Sequence, residues 1–74
     1  PKNATAYDAL GTIFGEQGKL EEAASAYREL IRNQPGPGAH QKLAQVLERL
    51  GRTEEAATEL MRAKELQQRA GTSE

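Results

Sequence analysis

The stretch Tyr7–Pro35, with the sequence YDALGTIFGEQGKLEEAASAYRELIRNQP, decides the fold of this chain of 74 residues. Its apolar residues recur at intervals of three and four on both sides of Gly18, which is the period of an amphipathic α-helix. Glycine enters the left-handed backbone conformation without a steric clash, so Gly18 marks the end of one helix and a tight turn into the next. The stretch therefore predicts two helices that pack as a hairpin.

The same pattern occurs a second time along the chain. A displacement of 33 residues places Gly18 on Gly51. It also places the segment EEAA at residues 21–24 on the same four letters at residues 54–57. Agreement over two separate windows indicates an internal repeat.

We predict a single all-α domain over residues 1–74, built from four antiparallel helices. The predicted helices are Ala4–Gln17, Leu20–Asn33, Pro37–Leu50 and Thr53–Arg69. Asn3 is suited to cap the first helix, and the segment 34–38 forms a tight turn between the repeats. Ala23 and Ala56 occupy matching slots, where we expect the paired helices to approach most closely. The first repeat covers about 4–36 and the second about 37–70, followed by a tail at 71–74 that is expected to fray.

The motif residues of the first repeat are similar to those of a known family. They are spaced as aromatic-x2-Leu-Gly-x2-aromatic, then Ala-x3-aromatic, then a closing proline: Tyr7, Leu10, Gly11, Phe14, Ala23, Tyr27 and Pro35. This spacing resembles the tetratricopeptide repeat, a helix–turn–helix unit of about 34 residues. The resemblance implies that the two repeats stack into a short right-handed solenoid. The second repeat departs from the pattern, with His40, Ala44 and Gln68 in the aromatic, glycine and proline slots, and the resemblance makes His40 a half-buried packing residue.

The resemblance also implies a function. In tetratricopeptide arrays the first helix of each repeat lines a concave groove that takes an extended peptide or a helix of a partner protein. We therefore expect a protein–protein interaction module. Because the chain opens on Pro1 rather than methionine, we expect a fragment of a larger scaffold or assembly protein. The partner-binding residues implied on the concave face are Thr5, Asp8, Thr12, Gly15, Glu16, Gln41, Gln45, Glu48 and Arg49.

One known binding mode of the family does not fit these residues. Some of its domains hold the terminal carboxylate of a chaperone tail with lysine, asparagine and arginine in these slots. Here Asp8, Thr12, Gln41 and Gln45 stand in their place, which argues against a chaperone-tail co-chaperone. Gly15 costs roughly 0.5–1 kcal/mol relative to alanine inside a helix. It either leaves room for a ligand or is tolerated because it lies near a helix end.

Composition disfavours several other classes of function. The formal net charge of −1 provides no electrostatic case for binding nucleic acid or an anionic membrane. The chain has no cysteine and one histidine, and it lacks a glycine-rich phosphate loop after a strand. A lone histidine without a second ligand at helical spacing is weak support for a metal site or for catalysis. We therefore expect no enzymatic activity, no cofactor and no metal, while the compartment stays open with a slight preference for the cytoplasm.

Self-assembly through an exposed helix face is an alternative function, in the form of a weak homodimer. Lys64 occupies the slot that matches Ile31, and a polar residue suits the outer face of a terminal repeat. Ile13 matches Val46, a slot expected to be buried, so an apolar residue is left facing outward on the first helix. We expect self-association to engage the first helix around Ala6 and Ile13 rather than the fourth. A helical repeat associated with RNA or with an enzyme is a further alternative, which the charge balance disfavours.

Overall fold

The structure, a computed structural model, describes residues 3–71 as four α-helices and contains no strand in that range. The helices are α1 (Ala4–Glu16), α2 (Leu20–Asn33), α3 (Pro37–Arg49) and α4 (Thr53–Gly71). The all-α prediction is confirmed, and α1 and α3 each end one residue earlier than predicted. Helix α4 runs two residues beyond its predicted end and includes Gly71, the first residue of the predicted tail. The rest of that tail, residues 72–74, lies outside the described residues.

The start and the end of α1 follow from local hydrogen bonding. The Asn3 side chain accepts a hydrogen bond from the backbone N–H of Ala6 at 3.2 Å, which caps the helix as predicted. At the other end Gly18 has a φ of +79°, the left-handed region that glycine alone enters cheaply. The N–H of Lys19 then donates to the Phe14 carbonyl at 2.8 Å, closing the last turn.

The second repeat uses the same turn between its two helices. Gly51 has a φ of +83°, and the N–H of Arg52 donates to the carbonyl of Leu47 at 2.8 Å. The internal repeat found in the sequence is therefore also a repeat of backbone geometry. Because each turn between α1 and α2 or between α3 and α4 is only a few residues long, the helices of each pair are antiparallel neighbours.

Small side chains allow the helices to pack closely. The buried core contains four alanines and larger apolar residues from α2 and α3: Ala23, Ala24, Tyr27, Leu30, Leu43, Ala44, Val46, Leu47 and Ala56. Ala23 and Ala56, expected at the closest approach of the paired helices, are 0% and 1% exposed. Helix α2 packs on both α1 and α3, so it joins the two repeats into one core.

Gly11 of α1 lies in close contact with α2. The ring of Tyr27 lies directly on this residue, so closely that a Cβ atom on Gly11 would overlap it. In the second repeat the same two slots hold Ala44 and Leu60. The second repeat therefore has one methyl group more on its first helix and lacks the aromatic ring on its second.

Helices α1 and α3 lie side by side and run in the same direction. The Lys42 ammonium contacts the Asp8 carboxylate at 2.7 Å, in the first half of both helices. Arg49 donates to the carbonyl of Gly15 at 3.2 Å, near the end of both. Each contact joins residues 34 positions apart, which places equivalent turns of the two repeats next to each other. The first helices of the two repeats therefore form one continuous face.

Candidate functional site

We call the surface shared by α1 and α3 the α1–α3 face; it is the surface that the family resemblance predicts to be concave. A cleft of about 280 Å³ opens on it between the two helices. Its buried lining residues are Gly11, Gly15, Tyr27 and Val46. More exposed polar and charged side chains complete the lining: Thr12, Glu16, Lys42, Gln45 and Arg49. The cleft thus combines a small apolar base with a hydrogen-bonding border.

A second depression adjoins this cleft toward the start of α1. Its lining residues are Thr5, Asp8, Ala9, Thr12, Ile13 and Lys42. Seven of the nine residues predicted to bind a partner line one or both of these depressions: Thr5, Asp8, Thr12, Gly15, Glu16, Gln45 and Arg49. The remaining two, Gln41 and Glu48, are exposed on α3 but line neither of them.

Because Gly11 has no Cβ atom, the side chain of Tyr27 from α2 can reach the α1–α3 face. The Thr12 hydroxyl donates to the carbonyl of Asp8 at 3.1 Å. A hydroxyl has a single proton to donate, so the hydrogen bond of 3.1 Å between Thr12 and Tyr27 has the Tyr27 O–H as its donor. Tyr27 is therefore fixed in place beneath the cleft, and its ring forms part of the base.

The charges of the face are balanced and mostly engaged. The Lys42 ammonium lies 2.7 and 2.8 Å from the two carboxylate oxygens of Asp8. The two side chains are 43% and 37% exposed, so water screens the pair and we assign it little stabilising energy. Its effect is to occupy Asp8 and to hold α1 against α3. Gln45 and Glu16, by contrast, form no hydrogen bond within residues 3–71, so their polar groups face solvent.

Arg49 retains most of its hydrogen-bonding capacity. A guanidinium carries five N–H donors, and the structure shows one of its nitrogens, Nη1, donating to the carbonyl of Gly15 at 3.2 Å. This contact directs the planar group over the end of the cleft. Arg49 can therefore donate further hydrogen bonds to a carbonyl or carboxylate placed there.

Sequence reasoning missed three residues that shape the cleft, namely Lys42, Tyr27 and Gly11. Gly11 and Tyr27 were assigned to the core motif, and their role in the cleft depends on how the helices sit. The role of Lys42 could have been predicted from its spacing in the sequence. It precedes Gln45 and Arg49 by three and seven residues, which places all three on one side of a helix.

The single histidine is held in the interior of the second repeat. His40 is 7% exposed, and its Nδ1–H donates to a carboxylate oxygen of Glu59 at 2.6 Å. The side chain is thus more deeply buried than the half-buried packing residue implied by the family resemblance, and its polar partner on α4 was not foreseen. The contact ties α3 to α4. Within residues 3–71 there is no group of three or more histidine, cysteine, aspartate or glutamate side chains arranged to hold a metal ion.

The comparisons with known proteins agree with this architecture. The family model described as tetratricopeptide repeat matches residues 9–70, which covers most of α1, all of α2 and α3, and α4 apart from its last residue. No curated protein matches the chain. None of the helices in the described part has the length and apolar character needed to cross a membrane. Tetratricopeptide repeats generally mediate protein–protein interactions, and the family is typically non-catalytic. The two helix–turn–helix repeats and the matching family model show that this chain belongs to the tetratricopeptide repeat family.

Proposed function

We propose that the protein binds a peptide segment or a helix of a partner protein on the α1–α3 face, as an interaction module of a scaffold or assembly protein. The observation that carries the proposal is the cleft of about 280 Å³ between the first helices of the two repeats. It has a small apolar base and polar side chains whose hydrogen-bonding groups are available to a ligand. Such convergence of a few polar groups on an apolar depression is typical of binding sites.

The available groups favour a ligand with exposed main-chain polar groups. Arg49 supplies donors for a carbonyl or a carboxylate, and Gln45 both donates and accepts. Glu16 accepts hydrogen bonds and adds a negative charge across the cleft. An extended peptide offers N–H and C=O groups along its whole length, so it matches this mixed set better than a uniformly charged ligand.

The pairing of Asp8 with Lys42 argues against a ligand that depends on its terminal carboxylate. The positive charge that would attract such a group is already neutralised at 2.7 Å. We therefore place the specificity in the side chains of an internal peptide segment, with an acidic or carbonyl-bearing residue beside Arg49.

The test begins with peptides selected from a random display library against the intact chain. Affinity of a selected fluorescent peptide is then measured for wild type and for Arg49→Glu. Hydrogen bonds to charged groups contribute about 1.5–3 kcal/mol, so we expect the dissociation constant to rise by at least about tenfold. Helicity by circular dichroism should not change.

The matched control is Arg62→Glu. Arg62 is an exposed arginine on α4 that lines neither depression of the α1–α3 face. This change should leave peptide affinity within about twofold of wild type. Equal losses of affinity for the Arg49 and Arg62 variants would show that the peptide responds to overall charge and does not occupy the cleft.

A further inference from the structure

Four large apolar side chains are strongly exposed among the described residues. They are Leu10 at 42%, Ile13 at 47%, Leu60 at 43% and Met61 at 63% exposure. Two lie on α1 and two on α4, the first and the last helix of the stack. The exposed apolar surface is therefore divided between the two ends of the molecule.

The two exposed residues on α1 have buried counterparts in the second repeat. A displacement of 33 residues relates Leu10 to Leu43 and Ile13 to Val46. These counterparts are only 1% and 5% exposed. Val46 lines the cleft that also contains Tyr27 of α2, so it belongs to the junction between the repeats. The exposure of Leu10 and Ile13 therefore reflects the absence of a neighbour that α3 possesses.

The uncovered surface includes a groove of about 360 Å³ between α1 and α2, which we call the α1–α2 groove. Its apolar part is formed by Tyr7, Leu10, Phe14 and Ala26, and its polar part by Glu21, Glu22, Ser25 and Glu29. In the second repeat the corresponding surface lies beneath α2. Leu47, the counterpart of Phe14, is 1% exposed and shares a small cleft with Arg28 of α2. The α1–α2 groove is thus equivalent to the surface of the second repeat on which α2 packs, and no helix of the described residues covers it.

The outer side of α4 carries apolar residues at the positions equivalent to those with which α2 packs on the second repeat. Ala57 is exposed, whereas its counterpart on α2, Ala24, is 0% exposed. Leu60 is 43% exposed, whereas its counterpart Tyr27 is 6% exposed. Met61 adds a further apolar side chain on this side. The last helix therefore has an uncovered apolar strip at the positions where α2 contacts the next repeat.

We propose that the protein associates head to tail with a second copy of itself, with α4 of one copy seated in the α1–α2 groove of the next. The intermolecular junction repeats the packing of α2 on the second repeat. Because each copy uses two different surfaces, the contact leaves one groove and one α4 free. Association of this kind is open and continues beyond the dimer as concentration rises.

Charge complementarity supports this choice of occupant. Within the chain, Arg52 in the turn before α4 has its Nη2 2.6 Å from a carboxylate oxygen of Glu21 at the start of α2. The counterparts of these residues are Lys19 and Glu54. In the proposed contact, Lys19 of one copy therefore meets Glu54 of the other. This again places a positive side chain beside a negative one, as in the pair of Arg52 and Glu21.

The lysine on α4 also finds an acidic surface in this arrangement. Lys64 lies three residues beyond Met61, and α2 and α4 run in the same direction. When α4 packs on the next copy, it runs parallel to α2 of that copy, in the direction from Glu22 to Glu29. The lysine stem can rest on apolar surface while its ammonium approaches these carboxylates. Lys64 alone predicts that α4 has a polar outer side, but the apolar strip next to Lys64 is exposed as well.

The intermolecular junction lacks the two contacts that join α1 to α3. The slots of the Asp8–Lys42 pair are taken by Gln41 and Ala9, which cannot form an ion pair. Two separate chains also lose translational and rotational freedom on association, a cost that the internal junction does not carry. We therefore expect the association to require high protein concentration. It uses the ends of the stack, and the lining of the α1–α2 groove shares no residue with the two depressions of the α1–α3 face.

The test uses sedimentation equilibrium or light scattering on the intact chain over a wide range of concentration. Wild type should show an average mass that rises above the monomer value and passes twice that value without a plateau. Leu10→Glu alters the α1–α2 groove and Met61→Glu alters the exposed apolar strip of α4, so each variant alone should remain monomeric. An equimolar mixture of the two retains one undamaged junction and should form a dimer that grows no further.

Two controls separate this mode of association from a general effect of added charge and from a loss of folding. Gln34→Glu places a carboxylate on an exposed site in the turn between α2 and α3, away from the groove lining and from α4, and should associate like wild type. If a glutamate variant loses helicity by circular dichroism, Leu10→Gln or Met61→Gln replaces it. The proposal is overturned if wild type stays monomeric throughout, if either single variant dimerises alone, or if the mixture stays monomeric.

Discussion

Adding one methyl group to α1 should have opposite effects at two glycines that are four residues apart. At Gly11 a Cβ would lie 2.6 and 2.7 Å from ring carbons Cζ and Cδ1 of Tyr27. At Gly15 the nearest atom to an added Cβ is a guanidinium nitrogen of Arg49 at 3.8 Å, an ordinary van der Waals distance. The two substitutions are chemically identical and share one helix, so each is the control for the other.

The structure sets the size of both effects. Carbon atoms pack at about 3.5–4.0 Å, so Gly11→Ala requires the helix or the ring to move by about 1 Å. Tyr27 is 6% exposed and its hydroxyl is bonded to Thr12, which prevents the ring from swinging away. Overpacking costs about 1–3 kcal/mol, and the better helix propensity of alanine returns about 0.5–1 kcal/mol. With an overpacking cost at the upper end of its range, we expect Gly11→Ala to lower the free energy of unfolding by about 2 kcal/mol. We expect Gly15→Ala to raise it by about 0.5–1 kcal/mol.

Thermal and urea unfolding followed by circular dichroism measures both changes. A shift of 1 kcal/mol moves the midpoint of a domain this size by about 4–8 °C, so the two variants should lie on opposite sides of wild type. A third variant combines Gly11→Ala with Tyr27→Leu, which copies the Ala44 and Leu60 pair of the second repeat. The double variant should be more stable than Gly11→Ala alone. A stabilising Gly11→Ala would refute the close contact between α1 and Tyr27.

Two further substitutions test the packing and the turn geometry. Ala23→Leu, at a site that is 0% exposed, should destabilise by about 1–3 kcal/mol through overpacking; an unchanged melting midpoint would contradict the pairing of α1 with α2. Gly51→Ala should destabilise by about 1–2 kcal/mol because its φ of +83° is unfavourable for a residue with a Cβ, whereas Gly38→Ala, in α3 with open space around it, should not. A comparable loss of stability at Gly38 would show that backbone strain at the turn is not the cause.

The helices could be predicted well because their signals are local. The recurrence of apolar residues and the glycines at 18 and 51 fix where each helix begins and ends, and Asn3 caps the first as its residue type indicates. The errors at the helix ends are one or two residues. They arise because Gln17 and Leu50 form part of the turns, and because Gly71 at the far end of α4 does not interrupt the helix.

The candidate site was less readable because it depends on contacts between repeats. The pairing of Lys42 with Asp8 joins residues 34 positions apart and requires α1 and α3 to lie side by side. The partner of His40 is likewise distant in sequence. Leu60 occupies the slot of buried Tyr27, yet it is 43% exposed, since exposure depends on the neighbouring helix as well as on the slot. Periodicity identifies a slot, but only the assembled helices show what covers it.

The most direct test of the proposed function is to map a selected peptide onto the protein by NMR. Backbone amide shifts of the 15N-labelled chain are followed as the peptide is added. We predict that the largest changes occur at Gly11, Gly15, Gln45 and Arg49, which line the cleft on the α1–α3 face. Changes concentrated instead along the α1–α2 groove, with the cleft residues unmoved, would contradict the proposal that partners bind on the α1–α3 face.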